Sequence, residues 1–196
     1  MKNKYLRKLT VTAMLSAIAV VLMYLQISVP LMPSFIQFDF SDLPALIGAF
    51  SFGPLWGVVV CLVKNLVHLF ATTTAGAGEL SNFILGAFFV LPAGLIYKYK
   101  KSKHGAVLGA LVGSITMAVL GVFSNLYIIY PLFYKIGMPY EAILGMYQTI
   151  LPTVNNMFAA LVIFNLPFTL VKGLVITLIC LLIYKPLSPL LKGRSA

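Results

Sequence analysis

Acidic residues are scarce in this chain: Asp39, Asp42, Glu79 and Glu141 are the only four among 196 residues. Two histidines, two cysteines and one tryptophan complete the list of rare types, and charged residues make up only 9% of the sequence. A soluble domain carries roughly 25% charged residues, because its surface faces water. That surface is missing here, and a soluble domain is excluded. With so few acids and histidines, acid–base catalysis has few candidates. The sequence also has no Gly-x-Ser-x-Gly, no His-Glu-x-x-His and no Gly-x-x-x-x-Gly-Lys-Ser/Thr phosphate loop. No catalytic residue is assigned, and any ATP-driven step requires hydrolysis by another chain. His68 has no second His, Cys or acid at ligand spacing, so no metal site is expected. Cys61 and Cys180 both lie within long apolar runs and read as small core residues.

What is present is apolar. Hydrophobic residues make up 61% of the chain and the mean hydropathy is +1.01. A transmembrane helix needs about 20 apolar residues to cross a hydrocarbon core of roughly 30 Å. The runs predict an all-α integral membrane protein with six transmembrane helices, forming one membrane-embedded domain over residues 1–196. Helix one is expected over Leu9–Ile27, ended by Pro30 and Pro33, with a loop over Ser28–Asp39. A short helix two follows over Ser41–Phe52, with Ser41 as its N-cap; at about a dozen residues it packs within the bundle or enters obliquely rather than spanning fully. Helix three covers Pro54–Thr72, helix four Glu79–Tyr97 and helix five Gly105–Ile129, ending near Pro131. The connection Phe133–Thr153 holds a short interfacial helix at Tyr140–Tyr147, and helix six spans Asn155–Tyr184 with a kink at Pro167.

The net charge of +10 points to orientation rather than to nucleic acid. Lys2, Lys4, Arg7 and Lys8 precede helix one, Lys98, Lys100, Lys101 and Lys103 follow helix four, and Lys185, Lys192 and Arg194 follow helix six. This puts 11 of the 14 basic residues on one face, and the acids opposite or at its boundary. The positive-inside rule makes that face, with both termini, cytoplasmic.

Polar groups inside the helices are costly unless they face protein or a wet cavity, where they often mark function. Lys64 is expected either to pair with Asp39 or Asp42 or, with Asn65, to contact a ligand. Thr169 and Lys172 lie on one face of helix six, and Lys172 calls for a ligand or a partner acid. Glu79 and Asn82 share a face at the outer start of helix four, where they serve either as cap and packing amide or as ligand contacts. Asn125 is a candidate for an interhelical bond or a ligand. This set is rich in donors and acceptors but poor in charge, which suits a neutral polyol or heterocycle. An ion-coupled carrier working through Lys64 or Glu79 is the reading from another class.

In order and spacing, a series of motifs resembles the riboflavin-specific substrate-binding subunits (RibU-type S components) of energy-coupling factor (ECF) vitamin transporters. The series comprises Ala13-Met14-Leu15-Ser16-Ala17, Asp39-Phe40-Ser41-Asp42-Leu43-Pro44, Phe52-Gly53-Pro54, Val63-Lys64-Asn65-Leu66, Glu79-Leu80-Ser81-Asn82-Phe83, Asn125 and Pro167-Phe168-Thr169-Leu170-Val171-Lys172-Gly173. The resemblance implies a six-helix S-component fold in the bacterial cell membrane and a site in its outer half, closed by the first loop. It implies riboflavin as transported ligand rather than resident cofactor. A transmembrane coupling subunit and two ATPase subunits are its implied partners, with Ala13 and Ala17 facing the coupling subunit. Ligand binding carries over to Asn125, Lys172 and Phe35, and to Glu79 and Asn82. Thr169 stands where the family often has Asn, so one bidentate amide contact is replaced by a single hydroxyl. An S component for another vitamin is the nearest alternative. The chemistry fits a flavin, whose uracil-like edge can be bonded twice by an amide such as Asn125.

Overall fold

The structure is a computed structural model that describes the backbone of residues 2–192 and the side chains of residues 4–184. The side chains of Lys2, Lys185 and Lys192, and all of Arg194, lie outside the described residues. Helix α1 covers Lys2–Tyr24, α2 Asp42–Phe52, α3 Pro54–His68, α4 Ala77–Tyr99 and α5 Lys103–Ser124. Then come α6 over Tyr130–Lys135, α7 over Tyr140–Ile150, α8 over Met157–Ala160 and α9 over Leu166–Lys192. Five stretches among the described residues are long and apolar enough to cross a membrane: Lys4–Tyr24, Pro54–Ala71, Ala77–Tyr99, Lys103–Lys135 and Met157–Tyr184. Large apolar side chains such as Met14, Ile18, Ile115 and Leu178 point outward from them. Such a surface is stable only against lipid, and this is a multi-pass membrane protein.

Helix α2 has 11 residues, or about 16 Å at 1.5 Å per residue, roughly half of a hydrocarbon core. Eight of its residues, from Asp42 to Phe50, are buried, so it packs inside the bundle as its length implied. Gly53, at φ 110°, breaks the chain there, and Pro54 restarts it at the first turn of α3.

Close approach of helices is written in small residues. A Cβ added to Gly109 would stand 2.7 Å from the Ala93 carbonyl oxygen, and one on Gly113 would stand 2.4 Å from that of Phe89. α4 and α5 therefore touch backbone to backbone, which is how membrane helices gain packing without a hydrophobic drive between them.

Ring contacts fix which ends lie together. Tyr5 packs edge-on against Trp56 at 6.2 Å, while Phe50 meets Tyr97 at 4.8 Å and Tyr184 at 5.6 Å. The start of α1, the α2–α3 turn, the end of α4 and Tyr184 on α9 thus share one end, next to the basic connector between α4 and α5.

Three expectations are corrected. Helix one does not reach Ile27: α1 ends at Tyr24, and Ile27–Ser28 pairs antiparallel with Gln37–Phe38, which makes the first loop a hairpin. Helix five does not stop before Pro131. A π-turn over Asn125–Ile129 widens the backbone, and α6 carries the span on to Lys135; such turns absorb the bond that proline cannot make. Ser41 does not cap α2 with its hydroxyl; its side chain turns instead to Asp39 and Lys64. A second π-turn, Leu161–Asn165, precedes Pro167 in the last span.

Candidate functional site

A cavity opens between the first-loop hairpin and the ends of α3, α4, the α5–α6 helix and α9. Among its lining residues are Phe35, Glu79, Asn82, Asn125, Thr169 and Lys172. Asn65 is not among them: its Nδ2 donates to the Cys61 carbonyl at 2.8 Å, and its buried Oδ1 has no partner. Ala13 and Ala17 lie elsewhere, in an apolar groove between α1 and α3.

An alternating lattice of two lysines and two aspartates borders the cavity, and three of its members, Asp39, Asp42 and Lys172, line it. Lys172 Nζ donates to Asp39 Oδ2 at 2.8 Å and lies 3.5 Å from Asp42 Oδ2. Lys64 Nζ donates to Asp42 Oδ1 at 2.5 Å, to the Ser41 hydroxyl and to Asn82 Oδ1 at 3.1 Å. Asp39 Oδ1 accepts from the Ser41 backbone N–H at 2.8 Å and from its hydroxyl. Of the two readings open for Lys64, the structure has the ion pair with Asp42; Lys64 is fully buried and does not line the cavity. Lys172 has the partner acid it called for, in Asp39, and also lines the cavity. Burial alone would raise the Asp39 carboxyl; the ammonium groups of Lys172 and Lys64 outweigh it and hold Asp39 well below the usual carboxylate range. The four charges cancel, as a buried ionic cluster requires.

Glu79 closes one side. Its Oε1 is 2.8 Å from His68 Nδ1, and its Oε2 accepts from Thr72 Oγ1 at 2.8 Å and Thr74 Oγ1 at 3.2 Å. His68 is thus not alone: its acid partner comes from 11 positions further on, across a turn that helical spacing does not see. Among the described residues no group of three His, Cys, Asp or Glu is placed to hold a metal ion.

The π-turns place two further amides at the cavity. Asn125 Oδ1 accepts from Ser81 Oγ at 3.0 Å. Asn165 belongs to a closed ring: Tyr130 and Tyr147 hydroxyls are 2.6 Å apart, Tyr147 donates to Asn165 Oδ1 at 2.6 Å, and Asn165 Nδ2 donates to Tyr130 at 3.3 Å. Tyr147 lies in α7, and burial, followed by the phenol of Tyr130 beside it, holds its hydroxyl well above the ordinary tyrosine value. Phe35 packs against Phe133 at 5.6 Å, tilted by 50°, and edge-on against Tyr130 at 6.3 Å, giving an aromatic wall.

Sequence reasoning missed Asp39, His68, Tyr130 and Asn165 as lining residues. Asn165 had a legible signal. It stands four residues before Thr169 and seven before Lys172, on the same helical face.

A bundle of apolar helices enclosing a polar, donor-rich cavity beneath an ordered loop defines a membrane-embedded binding protein for a small organic molecule. Residues 7–184 match the family model described as "ECF transporter, substrate-specific component", and the chain belongs to that family. It is 34% identical over 186 residues to the riboflavin transporter RibU of Staphylococcus aureus (strain TCH60), covering 95% of this chain and 93% of that one. It is also 34% identical over 194 residues to the riboflavin transporter FmnP of Bacillus subtilis (strain 168), at 97% and 96% coverage. A solved structure described as "Structure and mechanism of the S component of a bacterial ECF transporter" superposes with a TM-score of 0.76 at 33% identity, covering 98% of this chain and 99% of that one.

Proposed function

We propose that this protein is the riboflavin-binding subunit of an ATP-driven ECF importer, with residues 1–196 acting as one binding domain. It captures riboflavin outside the cell and releases it inside when coupled to a transmembrane subunit and two ATPase subunits. Its own role is binding and reorientation, not catalysis; the sequence carries no phosphate loop. In this reading α2 is the sixth helix of the bundle, both termini are cytoplasmic, and the cavity faces outward. The basic connector at the shared end supports that orientation.

The observation that carries the proposal is the convergence of Phe35, Glu79, Asn82, Asn125, Thr169 and Lys172 on one cavity. Riboflavin is uncharged. Amide and hydroxyl groups suit its ring edge, Glu79 and Lys172 suit its ribityl hydroxyls, and Phe35 suits its apolar ring face. Purified protein titrated with riboflavin is expected to bind it tightly and to prefer it across a panel of vitamins. Tight binding of a different vitamin with no flavin binding would overturn the assignment of ligand.

A further inference from the structure

The two amides that the π-turns bring to the cavity have their oxygens turned toward protein. Asn125 Oδ1 accepts from Ser81, and Asn165 Oδ1 accepts from Tyr147. An asparagine amide carries two N–H donors. In Asn165 one of them is committed to Tyr130, and the second is left for the cavity. The orientation of this amide is set by its surroundings. Around the ring, Asn165 donates to Tyr130, Tyr130 to Tyr147 and Tyr147 back to Asn165, so each hydroxyl gives one proton and receives one. Tyr130 and Tyr147 are 1% and 0% exposed, so water does not compete for these bonds.

Thr169, one helical turn further along α9, offers a single hydroxyl and cannot supply a paired amide edge. Asn165 supplies an amide from the same face of the same span, ending the π-turn just as Asn125 begins the other one. What the ring of bonds leaves exposed is a donor. Ring carbonyl oxygens of a flavin are acceptors.

We propose that Asn165 is a further ligand-binding residue that donates its free amide N–H to a ring carbonyl of the bound flavin, and that Tyr147 is the positioning residue that orients it. This rests on the reading of the chain as a riboflavin-binding subunit and adds a specificity-determining contact to it. Riboflavin and its thio-analogues, in which sulfur replaces one ring carbonyl oxygen, separate the two statements, because sulfur is a much weaker acceptor.

The full chain in detergent is titrated with each flavin. Wild type is expected to discriminate about tenfold against one of the thio-analogues, the worth of one lost hydrogen bond of about 1.4 kcal/mol. Asn165→Leu, of similar size but without a donor, is expected to bind riboflavin about tenfold more weakly and to lose that discrimination. Tyr147→Phe, which removes only the hydroxyl, is expected to lose it too, with a smaller drop in affinity. A purely structural role would lower thermal stability and weaken all flavins by one factor, leaving the discrimination intact; that result overturns the proposal, as does unchanged riboflavin affinity in Asn165→Leu. Should Asn165→Leu fail to fold, Tyr147→Phe alone decides by the same criterion. Failure of wild type to bind riboflavin at all would instead remove the functional assignment.

Discussion

Lys172 and Asp39 are 133 positions apart in sequence, yet the lysine Nζ stands 2.8 Å from the aspartate Oδ2. The bond ties α9 to the residue that follows the first-loop hairpin. Lys172 is therefore not a free charge waiting for an anion. It enters the cavity already neutralised, and in the proposed reading its remaining N–H groups are the donors that meet a neutral ligand.

Lys172→Ala is expected to weaken riboflavin binding by more than tenfold, through loss of those donors and through release of the hairpin. Fluorescence quenching of the flavin on titration measures this. Unchanged affinity would remove Lys172 from the site.

Stability should follow the lattice rather than the ligand. Breaking one partner of a buried pair costs about 3–5 kcal/mol, because it strands the other charge. Asp39→Ala and Lys172→Met are each expected to lower the melting temperature without riboflavin, and the double variant is expected to lie above Asp39→Ala. Strict additivity of the two losses would show that the pair is not coupled in the membrane-embedded state.

The same cluster predicts a pH dependence. Asp39 has its carboxyl held below the ordinary value of 3.8 by Lys172 and Lys64 against the opposing effect of burial. A carboxyl depressed on folding stabilises the protein above its unfolded value, and that stabilisation is lost as pH falls through the folded one. Melting temperature should therefore fall as pH drops below about 3.8, and Asp39→Asn should show a shallower fall than wild type over that range. An identical acid limb in both would assign it to other groups.

Packing makes a separate prediction at Gly113. A Cβ there would meet the Phe89 carbonyl oxygen at 2.4 Å and Phe89 Cδ2 at 3.1 Å, so the two helices must separate to admit it. Overpacking costs roughly 1–3 kcal/mol where side chains can shift, and more where the obstacle is backbone. Gly113→Leu should fail to give a monodisperse folded protein, whereas Gly145→Ala, which meets nothing within 4 Å, should behave as wild type. Size-exclusion profiles of the two variants make the comparison.

Much of this was legible in the sequence, and the parts that were not have physical causes. Apolar runs and prolines located the long spans, because the bilayer imposes length and hydropathy at once. The short α2 was legible for the same reason. Helix five was read as ending near Pro131 because a π-turn leaves no compositional mark; the structure carries that span to Lys135. Lys172 and Glu79 stood out as ionisable groups in apolar surroundings. Their partners Asp39 and His68 did not, since pairing across 133 and 11 positions depends on how helices pack rather than on spacing. Asn65 matches the others in residue type, but its amide turns back along α3 to Cys61. Only the neighbours of that helix face decide this, and one sequence does not contain them.

Binding and transport should come apart at the α1–α3 groove. Its lining is Leu9, Thr12, Ala13, Ser16, Ala17 and Val20 from α1 with Val59, Val63 and Val67 from α3, and none of these residues lines the ligand cavity. Small residues at Ala13 and Ala17 leave the groove open to close approach by another helix, which in the proposed reading belongs to the coupling subunit. Ala13→Trp and Ala17→Trp fill it from the outside, where both positions are exposed and no packed neighbour must move. Each variant is expected to bind riboflavin as wild type does in detergent. In cells or vesicles carrying the complete ECF module, ATP-dependent riboflavin uptake should drop by at least tenfold, and the variant should co-purify poorly with the coupling subunit. Full uptake by both variants would move the coupling interface to another face of the bundle, and a parallel loss of binding would mean that the groove and the cavity are not independent.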